Sequence, residues 1–539
     1  MSTETPAGPP PGGLESALPG DHHVSAGLRT GAVGLVGVLF MAVANAAPIT
    51  AMTGNVPIAV GFGNGLGAPA GFLFATIVLT MFTIGYVAMA RHVTTTGAFY
   101  GFISHGLGQI PGMAAGLVAT VAYVIFEASL IGGFAYFGND AVKTFTGTDV
   151  NWMIFAVIGI IVIALLTYYD ISLTAAVLSV TLVSEVLLLL ALGISVLVKG
   201  GGPDGLMFGD TVPLVPAFKA LPEHAYGTTA AAGAAAVGIF FAFWSWVGYE
   251  TTAVYGEESK NPKKIVPLAT LLAVVGLGLF YTVISWLVIA GNGRTKSVEL
   301  ATSANPLDLF FGLVKGNLGG FALDLYKTLL VIGSFACAMA FHNAASRYIF
   351  ALGRETPWPG IRSTVGATNP THHSPAVASF VQSTVTLLVV LAFFFFTTVQ
   401  VPNTAGGTDA TPALVPYVNV YGMLALIGTA MILMVQTVCS IAVIAYFMVK
   451  KVHPGNIVTT LICPLVGGLG MIYALVLLWQ SRAVALGYAS DSLVFTTSPY
   501  WVSGIVLVGI GYALWVRSQH PTIYSEIGRT TLQEAHERG

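Results

Sequence analysis

Three carboxylates stand inside long apolar stretches of this sequence. They are Glu127 in Phe126-Glu127-Ala128, Glu185 in the run 182–188, and Glu250 at the end of the run 240–250. Ionisable groups at membrane depth are costly and usually face a cavity or a substrate pathway. An acid in apolar surroundings also favours its protonated form, so it can carry a proton. The three acids therefore predict proton coupling or recognition of an ammonium group, and the simpler alternative is that each makes a hydrogen bond within the packing.

The stretch that leads to Glu250 carries further candidates. It reads Trp244-Ser245-Trp246-Val247-Gly248-Tyr249-Glu250 and continues into a charged, proline-containing loop at 257–264. An indole face attracts an ammonium group and closes off water. We expect Trp244, Ser245, Trp246 and Gly248 to contact a substrate. The alternative for both tryptophans, and more so for Trp246, is ordinary packing in a helical bundle.

The composition places these groups in a membrane. Of the 539 residues, 55% are hydrophobic and only 8% are charged, and the mean hydropathy is +0.81, whereas soluble domains carry about 25% charged residues. A transmembrane helix needs about 20 apolar residues, and the chain supplies many such runs. We predict one all-α polytopic bundle in the lipid bilayer. The net charge of -2 gives no basic signal for a nucleic-acid partner.

No enzyme motif accompanies the carboxylates. The sequence contains no HExxH, no Walker-type glycine loop, no GxSxG and no CxxC. The cysteines lie in apolar runs and read as buried small hydrophobes, with Cys337 alone offering the alternative of a thiol that lines a path. We expect no catalytic residue, no metal and no cofactor. Without an ATP-binding loop, uphill transport would draw on an ion or solute gradient.

Apolar runs between polar segments predict twelve helices. They fall at about 31–60, 68–90, 112–138, 151–170, 172–198, 229–255, 265–291, 319–352, 374–399, 414–449, 456–480 and 495–517. Residues 1–29 resemble a disordered cytoplasmic tail, and residues 518–539 form a second tail. If the N-terminus is inside, 13 of the 21 lysines and arginines fall on the inner side and 8 on the outer side. Both termini are therefore predicted to be cytoplasmic.

Two of the predicted helices carry weak points at corresponding positions. In the first helix Pro48 removes a backbone donor and clashes with the preceding turn, so we expect a break near Ala46–Pro48. In the sixth helix the weak point is Ser245–Gly248. Two interrupted helices, each opening a block of five, are typical of an inverted-repeat transporter with a site at mid-membrane. A plain packing kink at Pro48 is the alternative.

The helix-six segment and its loop resemble the amino acid–polyamine–organocation (APC) permease superfamily. The resemblance rests first on 244–250, followed by Glu258-Ser259-Lys260-Asn261-Pro262-Lys263-Lys264-Ile265-Val266-Pro267. Two further segments are similar to the family: Thr96-Gly97-Ala98-Phe99-Tyr100, and Asn343-Ala344-Ala345-Ser346-Arg347 running on to Glu355. Within the family, helix six is most similar to that of amino-acid and amine transporters and exchangers.

The resemblance implies a LeuT-like five-plus-five inverted repeat with two peripheral helices and alternating access. The transporter domain would cover 30–517, with repeats at about 31–198 and 229–449 and the last two helices at about 456–517. The substrate's carboxylate would meet the backbone of the broken first helix, because a half-helix N-terminus presents free N–H groups; these residues are Ala46, Ala47, Ile49, Thr50 and Ala51. The family usually has glycines there, whereas this chain has Ala46-Ala47-Pro48, in which Pro48 could begin the second half-helix.

The resemblance also assigns roles to the remaining candidates. Trp244 would lie over the substrate, Glu250 would serve gating, and Glu127 would face the path from helix three. Many relatives have a lysine near position 185, so Glu185 reverses that charge and is our candidate coupling group. Ser334 on helix eight is a further polar group for coupling or gating.

These observations predict a multi-pass secondary transporter of the plasma membrane. It would move amino acids or related amines, coupled to protons or to a counter-substrate. The alternatives are an importer of polyamines or other cationic amines with the same fold, or a membrane protein that senses amino acids.

Overall fold

The computed structural model describes residues 34–93, 98–169, 171–253, 259–303, 305–369, 371–372, 374–402, 408–451, 455–482 and 492–528. The predicted tail 1–29, the segment around Gly97, Glu257–Glu258 and the end of the second tail lie outside the described residues. The α-helices are α1 Leu35–Ala46, α2 Pro48–Ile58, α3 Ala68–Ala90, α4 Phe99–Leu107, α5 Gln109–Thr146, α6 Trp152–Tyr169, α7 Ile171–Val198, α8 Phe208–Thr211, α9 Ala235–Trp244, α10 Pro262–Asn292, α11 Arg294–Ala301, α12 Asp308–Leu318, α13 Gly320–Arg354, α14 Pro359–Arg362, α15 Ala376–Phe396, α16 Leu424–Ile444, α17 Cys463–Gln480, α18 Leu493–Thr496, α19 Ser498–Gln519 and α20 Pro521–Glu526. Two short strands, β1 Gln400–Pro402 and β2 Thr408–Ala410, pair in antiparallel fashion.

Ten helical stretches of the described chain are long and apolar enough to cross a membrane. They are Gly65–Ala90, Gln109–Thr146, Trp152–Tyr169, Val180–Val198, Lys263–Asn292, Gly320–Arg354, Ala376–Phe396, Pro412–Val449, Val458–Gln480 and Ser498–Gln519. Each corresponds to one of the predicted helices. The prediction of a helical, polytopic membrane protein is confirmed. The first and sixth predicted helices are absent from these ten because both are interrupted.

The first interruption lies at Ala47, between α1 and α2. Ala47 has a left-handed backbone (φ 40°, ψ 77°), and Pro48 is the first residue of α2. Proline suits this position because its missing N–H would have no helical partner there. The predicted break near Ala46–Pro48 is confirmed. The carbonyl of Ala46, freed by the break, accepts a hydrogen bond from the hydroxyl of Tyr281 on α10 at 2.9 Å.

The second interruption follows α9. The chain turns after Trp244 and continues as a 3₁₀ helix over Tyr249–Ala253. Gly248 has φ 110°, a conformation that side chains with a Cβ rarely adopt. The predicted weak point at Ser245–Gly248 is confirmed, and Gly248 is the residue that permits it.

The two interrupted helices pack side by side. α1 contacts the 3₁₀ segment Tyr249–Ala253, and α2 contacts α9. The first half of each helix therefore lies against the second half of the other, so the two run antiparallel. Beyond α2, Gly63 approaches Gly238 of α9 so closely that a Cβ on Gly63 would lie 2.6 Å from the Gly238 nitrogen.

Some regular structure lies where the sequence analysis expected only connections or a tail. The predicted connection 292–318 forms α11 and α12, and the connection 400–413 holds the β1–β2 hairpin. In the predicted tail 518–539, α20 is followed by Ile527, which is fully buried. The Gly528 N–H donates a hydrogen bond to the Glu355 carboxylate at 2.8 Å. This part of the tail is therefore docked on the helical bundle.

Replacing Tyr281 by phenylalanine should destabilise the fold by about 1–3 kcal/mol, because the buried Ala46 carbonyl loses its partner while the ring stays in place. The melting temperature of the purified protein in detergent measures the effect. Tyr500→Phe is the control, since that side chain is 79% exposed. An equal melting temperature for Tyr281→Phe and wild type would show that the hydroxyl does not stabilise the interruption.

Candidate functional site

Glu185 of α7 lies at the N-terminal end of half-helix α2. Its Oε2 accepts the backbone N–H of Ile49 at 3.3 Å, and both residues are almost completely buried. Gly333 of α13 leaves room for the other carboxylate oxygen, because a Cβ there would collide with Oε1. A carboxylate at this place satisfies one of the free amides of a helix start and is favoured by the helix dipole. Glu185 is thus an N-terminal cap supplied by another helix.

The other backbone groups around the first interruption are largely committed. The Ala47 N–H bonds to the Val43 carbonyl at 3.1 Å, and the Ala51 N–H bonds to the Ala47 carbonyl at 2.8 Å. Thr50, on the first turn of α2, is 1% exposed, and its hydroxyl oxygen has no hydrogen-bond partner in the described part of the chain. The interruption therefore contains one amide held by an acid and one hydroxyl with unused capacity.

Glu250 plays the corresponding part at the second interruption. Its Oε2 accepts the Gly248 N–H at 3.0 Å, and its Oε1 accepts the hydroxyl of Tyr123 on α5 at 2.9 Å. The backbone carbonyl of Glu250 accepts the hydroxyl of Tyr86 on α3 at 3.1 Å. Each interruption therefore has a carboxylate on a free N–H and a tyrosine hydroxyl on a carbonyl. Glu250 also ties the broken helix to α5.

Trp244 lies between the interrupted helix and its neighbours. Its ring stacks on Phe126 of α5 with centroids 4.7 Å apart and an interplanar angle of 24°. Phe341 of α13 lies 6.2 Å away, and Tyr421 lies 6.5 Å away in an edge-to-face arrangement. With Trp244 only 6% exposed, these rings form a closed aromatic layer beside the second interruption.

Trp246 points to a different place. It is fully buried, and its indole N–H donates to the Val274 carbonyl of α10 at 3.2 Å. Its ring packs edge-on against Tyr281 at 5.2 Å and lies 5.9 Å from Phe72 of α3. The structure does not bring Trp246 together with the Trp244 layer, and its contacts are those of a packing residue.

Ser245 takes part in a hydrogen-bond chain that links both interrupted helices. Its hydroxyl donates to the Phe241 carbonyl at 2.9 Å and accepts from the Asn55 amide of α2 at 2.8 Å. The Asn55 oxygen accepts the Tyr421 hydroxyl at 2.9 Å. Asn55 was missed by the sequence analysis, although a lone asparagine within apolar α2 was a usable signal.

Glu127 of α5 makes its hydrogen bonds to helices other than the two interrupted ones. It is fully buried, and its Oε1 is 3.0 Å from Nδ1 of His342 on α13. Its Oε2 accepts hydrogen bonds from Gln382 and, at 3.0 Å, from Thr386, both on α15. Both oxygens are therefore engaged by side chains of α13 and α15, and the predicted contact of Glu127 with a substrate stays a prediction. His342 was not identified from the sequence, because nothing there shows which face of α13 meets Glu127.

Ser334 follows Gly333 on α13 and is fully buried. Its hydroxyl donates to the Val331 carbonyl of its own helix at 2.9 Å. Neither this bond nor the position of Ser334 tests its predicted part in coupling or gating.

The sequence model for the family described as amino acid permease matches residues 33–510 of the chain. Among individual proteins, an uncharacterised transporter, R00093, of Rhizobium meliloti (strain 1021) is 26% identical over 309 residues, covering 56% of this chain and 59% of its own length. The branched-chain amino acid permease BcaP of Bacillus subtilis (strain 168) is 22% identical over 343 residues, covering 60% of this chain and 67% of its own length.

A shorter match joins the chain to the uncharacterised amino acid permease YecA of Bacillus subtilis (strain 168), which is 29% identical over 154 residues, covering 29% of this chain and 33% of its own length. The alignments thus span about three fifths of the length of R00093 and a third of the length of YecA. The family match covers most of the chain and includes both interrupted helices. This multi-pass membrane protein therefore belongs to the amino acid permease family.

Proposed function

We propose that this protein is a secondary active transporter that moves amino acids across the plasma membrane by alternating access. The observation that carries the proposal is the pair of adjacent, antiparallel interrupted helices, each with a buried carboxylate on a free amide. Breaks of this kind place backbone hydrogen-bonding groups where a substrate can use them. The name of the Bacillus subtilis relative BcaP supports amino acids as the cargo.

The proposed architecture is a five-plus-five inverted repeat with two peripheral helices and both termini in the cytoplasm. The antiparallel packing of the interrupted helices supports the inversion. The ten uninterrupted spans and the two interrupted helices then make twelve crossings. The predicted transporter domain 30–517 and its two repeats are part of this proposal.

In the proposed site, Ile49, Thr50 and Trp244 contact the substrate. Ser245 and Asn55 hold the two interrupted helices in register, and Gly248 supplies the turn between α9 and its continuation. Transport is coupled to protons or to a counter-substrate. Glu185 and Glu250 are the coupling and gating groups, because each binds a free amide at an interruption and would release it on protonation or movement.

A cationic amine is the second candidate cargo. It is favoured by Glu185, which is 2% exposed and, among the described residues, forms no pair with a lysine or arginine. An ammonium group would provide the missing opposite charge.

Counterflow in proteoliposomes tests the proposed function. Vesicles preloaded with an unlabelled amino acid should accumulate the labelled amino acid transiently, whereas vesicles without preload should show only equilibration. The panel contains branched-chain and other neutral amino acids, basic amino acids, and polyamines such as putrescine. Absence of exchange for every compound in the panel, with protein shown to be folded and inserted, would contradict a carrier function.

Replacement of Trp244 by phenylalanine should weaken substrate binding by about tenfold, because a smaller ring gives a weaker face for the ammonium group. Trp246→Phe is the matched control: it removes the hydrogen bond to Val274 and should lower the melting temperature while leaving the apparent KM close to wild type. The apparent KM for counterflow measures both variants. If Trp246→Phe raised KM as much as Trp244→Phe, the assignment of Trp244 as the substrate-facing tryptophan would be wrong.

A further inference from the structure

We infer that Glu185 holds the place of the transported amino acid's carboxylate, and that the amino acid binds only after Glu185 has taken up a proton and released the Ile49 amide. This inference rests on the proposed function and adds to it a rule of selection between amino acids and amines. It concerns one backbone amide for which two carboxylates, one internal and one on the substrate, would compete.

The amide in question is already occupied. The Ile49 N–H donates to Glu185 Oε2 at 3.3 Å, which is slightly longer than the usual range of about 2.7–3.2 Å for such bonds. It is a bond that a better placed acceptor can replace. The next residue offers a second donor for an incoming carboxylate. The Thr50 hydroxyl is 1% exposed and without a partner in the described part of the chain.

The start of half-helix α2 offers hydrogen-bond donors for one carboxylate. Pro48 has no N–H to donate, and the Ala51 N–H is bonded to the Ala47 carbonyl. An incoming carboxylate can therefore bind the Ile49 amide and the Thr50 hydroxyl. While Glu185 is ionised and bound to Ile49, a second anion would lie beside it.

No described cation relieves that repulsion. The titratable groups that interact with Glu185 are Tyr281 from α10 and Tyr326 and Cys337 from α13, and none of these carries a positive charge in either protonation state. The adjacent segments α1 and α2 contain no ionisable side chain. Lys327 of α13 is paired with Asp140 at 3.0 Å instead. Two anions in these apolar surroundings repel strongly.

The charge balance requires one proton for each amino acid bound. The Glu185 carboxylate takes a proton from water and becomes a neutral acid, and the substrate's carboxylate replaces it on the Ile49 N–H. Raising the pH removes that proton, so amino acid affinity should fall with rising pH. The ammonium group of an amine without a carboxylate is attracted by the ionised acid, so the affinity for the amine should not fall over the same pH range.

The test uses the full chain in detergent and pairs of compounds that differ by the carboxylate. Each amino acid that exchanges in counterflow is compared with its decarboxylated amine, beginning with L-leucine and 3-methylbutylamine. Once the pH is high enough for Glu185 to lose its proton, wild-type affinity for the amino acid should fall with further rise in pH, reaching about tenfold per pH unit. In Glu185→Gln it should stay flat at the level of the wild type at low pH, because glutamine imitates the protonated acid.

Glu127→Gln is the matched control, since it also removes a buried carboxylate but one that hydrogen-bonds to α13 and α15 and not to the Ile49 amide; it should keep the wild-type pH slope. Proton uptake, followed with a pH indicator as L-leucine or 3-methylbutylamine is added to wild-type protein, keeps the inference testable if Glu185→Gln does not fold. About one proton should be taken up per amino acid at a pH where Glu185 is ionised, and none per amine.

The inference would be overturned if the affinity of the wild type for the amino acid did not change with pH, or if Glu185→Gln kept the wild-type pH slope. Exchange of amines alone, without exchange of amino acids, would also overturn it. If amino acid counterflow is observed together with a pH-independent affinity or an unchanged slope in Glu185→Gln, the proposed function still holds.

Discussion

The need to satisfy the backbone of a broken helix inside a membrane governs this structure. Water is absent there, so a carbonyl or amide freed by a break must find a partner in the protein. At the first interruption the Tyr281 hydroxyl serves the Ala46 carbonyl, and Glu185 serves the Ile49 amide. Glu250 and Tyr86 do the same at the second interruption. Three of these four partners, Tyr281, Glu185 and Tyr86, come from other helices of the bundle, so the interruptions can exist only within the assembled fold.

The sequence predicted where the helices break because the causes are local. Pro48 cannot donate a backbone hydrogen bond, and Gly248 can take a backbone conformation closed to other residues. The spans were likewise predictable from unbroken apolar runs. What closes the first break could not be predicted, because the partners are remote in the chain: Glu185 lies 136 residues from Ile49, and Tyr281 lies 235 residues from Ala46.

The sequence also did not show which face of each helix meets which neighbour. Apolar residues lie on every side of these helices, so periodicity does not show which side of α5 or α13 meets a given neighbour. The partners of Glu127, His342 on α13 and Thr386 on α15, could therefore not be predicted. The same limit applies to the two tryptophans, which the structure separates into an aromatic layer for Trp244 and a packing position for Trp246.

In the proposed mechanism, the acids at the interruptions hold backbone groups that the substrate must take over. The most direct measurement is an experimental structure of the protein with a transported amino acid bound. The account predicts the substrate's carboxylate within hydrogen-bond distance of the Ile49 amide and the Thr50 hydroxyl, its amine under Trp244, and Glu185 moved off the amide. A bound amino acid elsewhere in the protein, with Glu185 still on Ile49, would contradict it.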